Sequence, residues 1–284
     1  MFKSEFGRFT ADGREYLTTR TDTPRPWLNY LTNDVYGVCL SQNGFGYSFY
    51  RAAMDVKVTY IDIFGYVPTH PQTGKFVYLQ DAGSRRSWSL APLGAGAPHK
   101  NFLCLHGLGY QIISAEHAGI AAELSVFVPR RDPVEMWEIR LRNTTKRTRR
   151  MRFFPYVEPS MSCNSGPTDV LTYTRGRFER RLGAAVMRMT NSTSPFTYDA
   201  FMCGDYRVTG HDCRRESFLG TGHTILAPQA PARGRCTGSA VSAEQMCLVV
   251  SGEMTLRPGE EKTAHVIVGV SHSDAQLRRL KRKN

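Results

Sequence analysis

The chain has 284 residues, of which 41% are hydrophobic and 11% aromatic, so it can bury a sizeable core and is neither a disulfide-stabilised miniature protein nor a disordered segment. No window approaches the roughly 18 apolar residues of a membrane helix, and no signal peptide opens the chain, so we expect a cytoplasmic protein without a membrane segment. The formal net charge of +12 favours acidic partners, but its short basic runs are typical of solvated turns, so we expect no nucleic-acid binding.

Short segments that alternate apolar and polar residues run along nearly the whole chain, which predicts β-strands. Strands are predicted at 47–50, 57–64, 75–80, 110–115, 122–128, 137–141, 150–154, 170–178, 185–190 and 198–203. A last pair, 248–256 and 264–270, flanks the turn Pro258-Gly259-Glu260. We interpret 134–157, with arginine-rich outer faces, and 248–270 as two hairpins.

Helical signals are nearly absent before Ser273 and Asp274, which can begin a helix that carries Leu277 and Leu280. Loops are predicted at 91–101, 159–169 and 227–243. The pattern predicts an all-β protein, a large antiparallel sandwich. We expect one domain over residues 1–271, followed by the start of a linker helix with a basic tail at 272–284.

Standard catalytic signatures fail in this sequence. Gly74 and Lys75 resemble the end of a phosphate-binding loop, but the first glycine of that motif is missing, and no G-x-S-x-G motif occurs. Cys104 with His106, and His211 with Cys213, have single-residue spacings that zinc sites seldom use, so we expect no metal. The 7 cysteines contain no C-x-x-C pair and are expected to be reduced. No catalytic residue and no cofactor is predicted.

Two segments have the composition of ligand-binding loops. Residues 41–51 combine glycines, aromatic rings and amides, and suggest a sugar-binding loop or a Gly-rich hairpin turn whose rings pack inward. Residues 106–110 place a histidine and a tyrosine around two glycines, which suits a ligand contact or a strand entry. The candidate substrate-binding residues are Asn43, Gly44, Tyr47, Tyr50, Arg51, His106 and Tyr110.

Several segments resemble the amino-terminal domain of glycoside hydrolase family 94, which comprises cellobiose and chitobiose phosphorylases and the carboxy-terminal region of cyclic β-1,2-glucan synthases. The matching segments are RTDTPRPWLNYL at 20–31, GFGYSFY at 44–50, HGLGY at 106–110, DPVE at 132–135, YVE at 156–158, FLG at 218–220 and LRPGEEK at 256–262. The match departs from Pro159 to about residue 174.

The resemblance implies a β-supersandwich related to the galactose mutarotase fold, followed in the family by an (α/α)₆ barrel with the aspartate general acid. Inorganic phosphate would be the co-substrate of the complete enzyme. The sequence ends at Asn284, where a linker helix would begin, so we expect a non-catalytic carbohydrate-binding and assembly domain. Its expected partners are an oligosaccharide or β-glucoside, a barrel on a separate or missing polypeptide, and a second copy in a homodimer.

Two other functions are open from the residues. A mutarotase-like sugar epimerase would use His106 with Glu123 or Glu158 as its acid and base, on fold analogy alone. A basic binding scaffold would use the positive charge instead.

Overall fold

The computed structural model describes residues 3–52, 56–59, 74–92, 99–162, 172–191 and 198–284. Within these ranges the strands form three antiparallel sheets, here named A, B and C. Sheet A has eleven strands, in the order β1 (Gly7–Phe9), β2 (Glu15–Thr18), β9 (Lys100–Gly107), β10 (Tyr110–His117), β11 (Ile120–Phe127), β12 (Val134–Asn143), β21 (Glu261–Ser271), β17 (Asp199–Gly204), β16 (Ala184–Asn191), β15 (Thr172–Glu179) and β19 (Val241–Ser242).

Sheets B and C have five strands each. The order in sheet B is β14 (Pro159–Ser162), β6 (Val56–Thr59), β5 (Gly46–Tyr50), β4 (Tyr36–Ser41) and β3 (Leu28–Thr32). The order in sheet C is β18 (Gly210–Arg214), β20 (Met246–Leu256), β13 (Arg149–Val157), β7 (Phe76–Asp81) and β8 (Ser87–Ser89). The predicted all-β class is therefore confirmed.

The main core lies between sheet A and the two smaller sheets. Trp137 of sheet A, Leu40 of sheet B and Phe153 of sheet C belong to one cluster of buried side chains. We call the face of each sheet that points to this core its inner face. The outer face of sheet C is buried beneath two short helices, α1 (Arg215–Leu219) and α2 (Gln229–Arg233).

The third helix, α3 (Asp274–Lys283), confirms the helix predicted at the end of the chain. The Ser273 hydroxyl accepts a hydrogen bond from the Gln276 backbone N–H and caps it. Leu277 and Leu280 are buried on the outer face of sheet A. Docking on the sheet compensates for the marginal stability of so short a helix. No helix in the described part of the chain is long and apolar enough to cross a membrane.

Both predicted hairpins are wrong in their pairing. Strand β12 pairs with β11 and β21 in sheet A, whereas β13 pairs with β7 and β20 in sheet C. The strands β20 and β21 are likewise divided between sheets C and A. Each reversal is thus an arch across the core, and both arms present their alternate apolar residues to that core. Alternation alone does not distinguish an arch from a hairpin, because each strand has one buried face in either case.

The buried Asn143 joins the two arches. Its side-chain amide donates to the backbone carbonyls of Arg147, Leu256 and Arg257 at 2.8, 3.1 and 3.1 Å. One side chain thus ties residue 147 of the first arch to residues 256 and 257 of the second.

The arginines predicted to crowd the outer faces have acidic neighbours. Arg140 contacts Glu123 at 3.1 Å and Glu261 at 3.5 Å, and Arg152 contacts Glu253 at 3.2 Å. These ion pairs offset part of the positive charge.

Four predicted strands and loops extend outside the described residues, and a fifth, the loop at 227–243, differs in part from the structure. Predicted strand 57–64 is described to residue 59, as β6, and 170–178 from residue 172, as β15; residues 60–73 and 163–171 lie outside the described ranges. Predicted loop 159–169 begins with β14, and 227–243 contains α2 and β19. In loop 91–101, residues 93–98 lie outside the description.

The low helix content gives a simple expectation. Far-ultraviolet circular dichroism of the purified chain should be dominated by β-structure, because the described helices are two of five residues and one of ten. A helix-dominated spectrum would contradict this fold.

Candidate functional site

Three segments with the family-like motifs meet where sheet B packs on the inner face of β2, β9 and β10. We call this region the motif edge and define it as residues 20–31, 41–45 and 106–111. They are distant in sequence, and side-chain hydrogen bonds to backbone atoms hold them together. Asn29 donates to the carbonyls of Gly107 and Tyr110 at 3.0 and 3.2 Å, and Gln111 donates to the carbonyl of Ser41 at 2.7 Å.

The turn between β4 and β5 anchors the loop before β3, at residues 20–27. The Gln42 side chain accepts from the Trp27 backbone N–H at 2.9 Å and donates to the Thr23 hydroxyl at 2.5 Å. Asn43 donates to the Thr21 carbonyl at 3.2 Å. Gln42 is buried, so these bonds are shielded from water and fix the loop's path.

Aromatic rings hold the same loop from its other side. Trp27 packs edge-to-face on Phe6 and Tyr16, with ring centroids 5.8 and 5.4 Å away. Arg20 lies over the Phe6 ring at 5.0 Å and forms a two-point ion pair with Asp22. The motif edge is therefore ordered before any ligand or partner binds.

Of the two interpretations of residues 41–51, the structure favours the hairpin turn. The turn at Asn43 and Gly44 joins β4 to β5, and β5, which covers the predicted strand 47–50, is an inner strand paired with β4 and β6. Tyr47 and Tyr50 lie three positions apart on this strand and therefore point to opposite faces. They do not line one cleft.

The two tyrosines have different surroundings. Tyr50 is 7% exposed and packs against Tyr198 with ring centroids 5.1 Å apart, so its ring offers no stacking face to a sugar. Tyr47 is half-buried on the outer face of sheet B, 6.2 Å from the Phe49 ring. Arg51 is exposed, with φ of 64° and its guanidinium over the Tyr50 ring at 5.4 Å. Tyr47 and Arg51 thus stay accessible.

His106 and Tyr110 do not converge on one ligand. His106 lies opposite Gln111, on the inner face of sheet A, while Tyr110 lies over Gly107 on the outer face and donates a hydrogen bond to Glu15. Burial lowers the pKa of His106, and its Nε2 is 3.5 Å from the Cys104 sulfur. The histidine is therefore packed as a neutral side chain.

The acid-base pairs of the epimerase hypothesis do not form. His106 is paired with Gln111, and Gln111 with Val126, so these three side chains share the inner face of sheet A. Glu123 is three positions before Val126 on β11 and therefore points to the outer face. Glu158 follows β13 in sheet C and contacts Arg215 at 3.1 Å. Within the described ranges, no group of three or more His, Cys, Asp or Glu side chains could hold a metal.

The outer face of sheet B carries exposed apolar side chains beside the motif edge. Leu28 and Tyr30 alternate on the edge strand β3 and are 41% and 57% exposed. Tyr30 lies opposite Cys39, which in turn lies opposite Tyr47. We call Leu28, Tyr30 and Tyr47 the sheet B patch. Adjacent exposed apolar residues of this kind mark interaction surfaces.

Sequence reasoning missed a buried ion pair at the junction of the three sheets. The Lys75 ammonium lies 3.3 Å from Glu135, and both side chains are 0% exposed. Ser48 accepts a hydrogen bond from Lys75 at 2.7 Å and donates one to Glu135 at 2.6 Å.

Two more side chains complete this ion-pair network. The Tyr36 hydroxyl and the Trp137 indole N–H each donate to the Glu135 carboxylate at 3.2 Å. Burial lowers the pKa of Lys75, and Glu135 opposes that effect. The motif residues Ser48 and Glu135 are thus structural in this domain. Glu135 continues the inward alternation of Trp137, Ile139 and Leu141, which was the signal available in the sequence.

Comparisons with known proteins agree with this geometry. The chain is 29% identical over 284 residues to N,N'-diacetylchitobiose phosphorylase of Vibrio furnissii, covering 98% of this chain and 35% of the relative. It is 30% identical over 281 residues to solabiose phosphorylase of Paenibacillus borealis, covering 98% and 36%. It is 27% identical to the cyclic beta-(1,2)-glucan synthase NdvB of Rhizobium meliloti, covering 98% and 10%. The chain thus spans about a third of the length of the two phosphorylases.

A solved structure shares the fold at low identity. A bacterial glucoamylase complexed with acarbose superposes with a TM-score of 0.50 at 6% identity, over 95% of this chain and 37% of that one. The model of the family "Glycosyl hydrolase 94, supersandwich domain" matches residues 14–284. Because this match covers nearly the whole length, the chain belongs to glycoside hydrolase family 94 as its supersandwich domain.

Proposed function

We propose that this chain is the non-catalytic assembly and carbohydrate-binding domain of a glycoside phosphorylase or glucan synthase. In the whole protein it would pack against an (α/α)₆ catalytic barrel, which would bind a β-glucoside and, in a phosphorylase, inorganic phosphate as co-substrate. The observation that carries the proposal is the motif edge, where three separate segments are fixed by buried hydrogen bonds beside exposed apolar side chains.

The motif edge suits a docking surface better than a catalytic centre. Its polar side chains Asn29, Gln42 and Gln111 are engaged with backbone atoms of this chain. Leu28 and Tyr30 remain exposed beside them. Complete burial of an exposed apolar side chain contributes about 1.5–3 kcal/mol, and these two, which are about half exposed, would each contribute roughly half of that against a partner.

Carbohydrate contact would come from accessible groups on sheet B, Tyr47 beside the motif edge and Arg51 at the far end of β5. Arg51 offers several N–H donors in a fixed arrangement, and Tyr47 offers a half-exposed ring. The other candidate residues act through the fold: Asn43 holds the loop, Gly44 forms the turn, and Tyr50, His106 and Tyr110 pack within the sheets. In the absence of the barrel, a second copy would cover the same edge in a homodimer.

The free cysteines suit a cytoplasmic location. Cys39, Cys104, Cys203, Cys213, Cys236 and Cys247 are all unpaired thiols. Thiols persist in reducing compartments, so we propose that the domain works in the cytoplasm.

A reconstitution assay tests this function. The purified 284-residue chain should release no sugar 1-phosphate from N,N'-diacetylchitobiose, solabiose or β-1,2-glucan, since the resemblance assigns the general acid to the barrel. Fusion to a family 94 barrel should restore turnover on one of these substrates. The fusion that carries Tyr30→Asp should lose turnover. The control fusion that carries Arg235→Ala, at an exposed residue outside the motif edge, should keep it. Phosphorolysis by the chain alone would contradict the proposal.

A further inference from the structure

A polar pocket lies away from the motif edge, where β18 leads into α1. It has a volume of about 270 Å³, and its polar lining includes Arg214, Arg215, Glu216, Thr221, Glu244 and Gln245. None of these residues belongs to the three segments of the motif edge. Its volume is just below the range of about 300–1,000 Å³ that drug-sized ligands occupy, which limits an occupant to about one ring.

The charges of this pocket balance one another. Arg214 donates to the Glu244 carboxylate at 2.7 Å, and Arg215 contacts Glu158 at 3.1 Å. The Thr221 hydroxyl donates to Glu216 at 2.7 Å. Two arginines face two glutamates in the lining, so the pocket has no excess of positive charge with which to select an anion.

The arginine at the pocket wall is fixed from beneath. The Tyr156 hydroxyl is buried and donates to the Glu158 carboxylate at 2.6 Å, on the same oxygen that Arg215 contacts. The Arg215 guanidinium also donates to the Gln245 side-chain oxygen at 3.5 Å. A guanidinium held in this way loses little freedom when it binds a ligand.

We propose that this pocket binds one neutral pyranose unit. Arg215 and the Gln245 amide would donate to sugar hydroxyls, and the carboxylates of Glu216 and Glu244 would accept from them. Each hydroxyl of a sugar can both donate and accept a hydrogen bond. A pocket with closely spaced donors and acceptors and no net charge therefore suits a neutral sugar. The pocket shares no residue with the motif edge, so a sugar could bind here whether or not a barrel docks there.

Nuclear magnetic resonance titration of the ¹⁵N-labelled chain with methyl β-D-glucopyranoside tests this site. We expect amide shifts at residues 214–222 and 244–245, with millimolar affinity. The Gln245→Ala variant should bind about 3- to 10-fold more weakly, because it loses one neutral hydrogen bond. Arg235→Ala is the control, as Arg235 is exposed and does not line the pocket.

Three results would overturn the pyranose site. The first is the absence of shifts at these amides throughout the millimolar range. The second is tighter binding of inorganic phosphate at the same amides, which would indicate an anion site. The third is an unchanged affinity in Gln245→Ala. Shifts confined to the motif edge would favour the proposed function while rejecting this pocket, so the two proposals fail separately.

Discussion

The Glu135→Gln variant should lose about 3–5 kcal/mol of unfolding free energy, because it leaves the Lys75 ammonium buried without its counter-charge. The loss should appear as a lower urea midpoint with an unchanged slope. Glutamine keeps the size of the side chain, so the effect reports charge and hydrogen bonding rather than a cavity.

The double variant Lys75→Met/Glu135→Gln is the control for this result. Removing both charges should recover much of the loss, since methionine occupies the lysine's volume without needing a partner. A double variant that is less stable than Glu135→Gln would show that the network acts through packing and would contradict our account.

The same single variant should respond to pH in a defined direction. Burial lowers the pKa of Lys75 below the 10.5 of an unfolded lysine, and Glu135 opposes this. Without Glu135 the folded-state pKa falls further, so between that value and 10.5 the unfolded chain binds more protons than the folded one. Stability of Glu135→Gln should therefore rise with pH in this window. If the stability of Glu135→Gln stayed below that of the parent by the same amount from neutral to alkaline pH, this expectation would be contradicted.

The second large effect is expected at Gly46, where β5 begins. A Cβ at this position would lie 1.9 Å from the Cys39 carbonyl oxygen, and φ is +150°, a region that side chains with a Cβ rarely adopt. The Gly46→Ala variant should therefore lose about 3 kcal/mol or more, since the strand must move. Thermal or urea unfolding measures this loss.

Gly13 provides the matched control for strain without collision. Its φ is +71°, and a Cβ there would meet nothing within 4 Å. Gly13→Ala should cost only about 1 kcal/mol. Equal losses in the two variants would mean that the close approach of the Cys39 carbonyl does not add to the loss at Gly46. That result would contradict the explanation that this glycine is needed for sheet packing.

Sequence patterns predicted the strands and the helix whose formation depends on residues close together in the chain. The alternation at 122–128 corresponds to β11, and Ser273 with Leu277 and Leu280 corresponds to the cap and buried side of α3. In both cases the residues that determine the element lie within or beside it.

The pairing of strands was not predictable in the same way. Alternation in β12, β13, β20 and β21 was visible, but their division between two sheets depends on contacts across the core. The hydrogen bonds of Asn143, which join both arches, link residues more than one hundred positions apart.

The candidate site was predicted in part for a related reason. The resemblance identified the segments that meet at the motif edge, and alternation predicted the strand at 47–50, which corresponds to β5. The candidate residues Tyr47 and Tyr50 were nevertheless assigned to one site, although the two-residue period of that strand places them on opposite faces. The Lys75–Glu135 pair needed the three sheets in place, because its members come from different parts of the chain.

Hydrogen–deuterium exchange of the chain, measured alone and with a family 94 barrel added in trans, tests the assembly role most directly. The account predicts slower exchange at residues 28–31 and 107–111 in the presence of the barrel, and loss of that protection in Tyr30→Asp. Protection confined to α3 or to the pocket beside α1, or no protection while the barrel restores turnover, would contradict it.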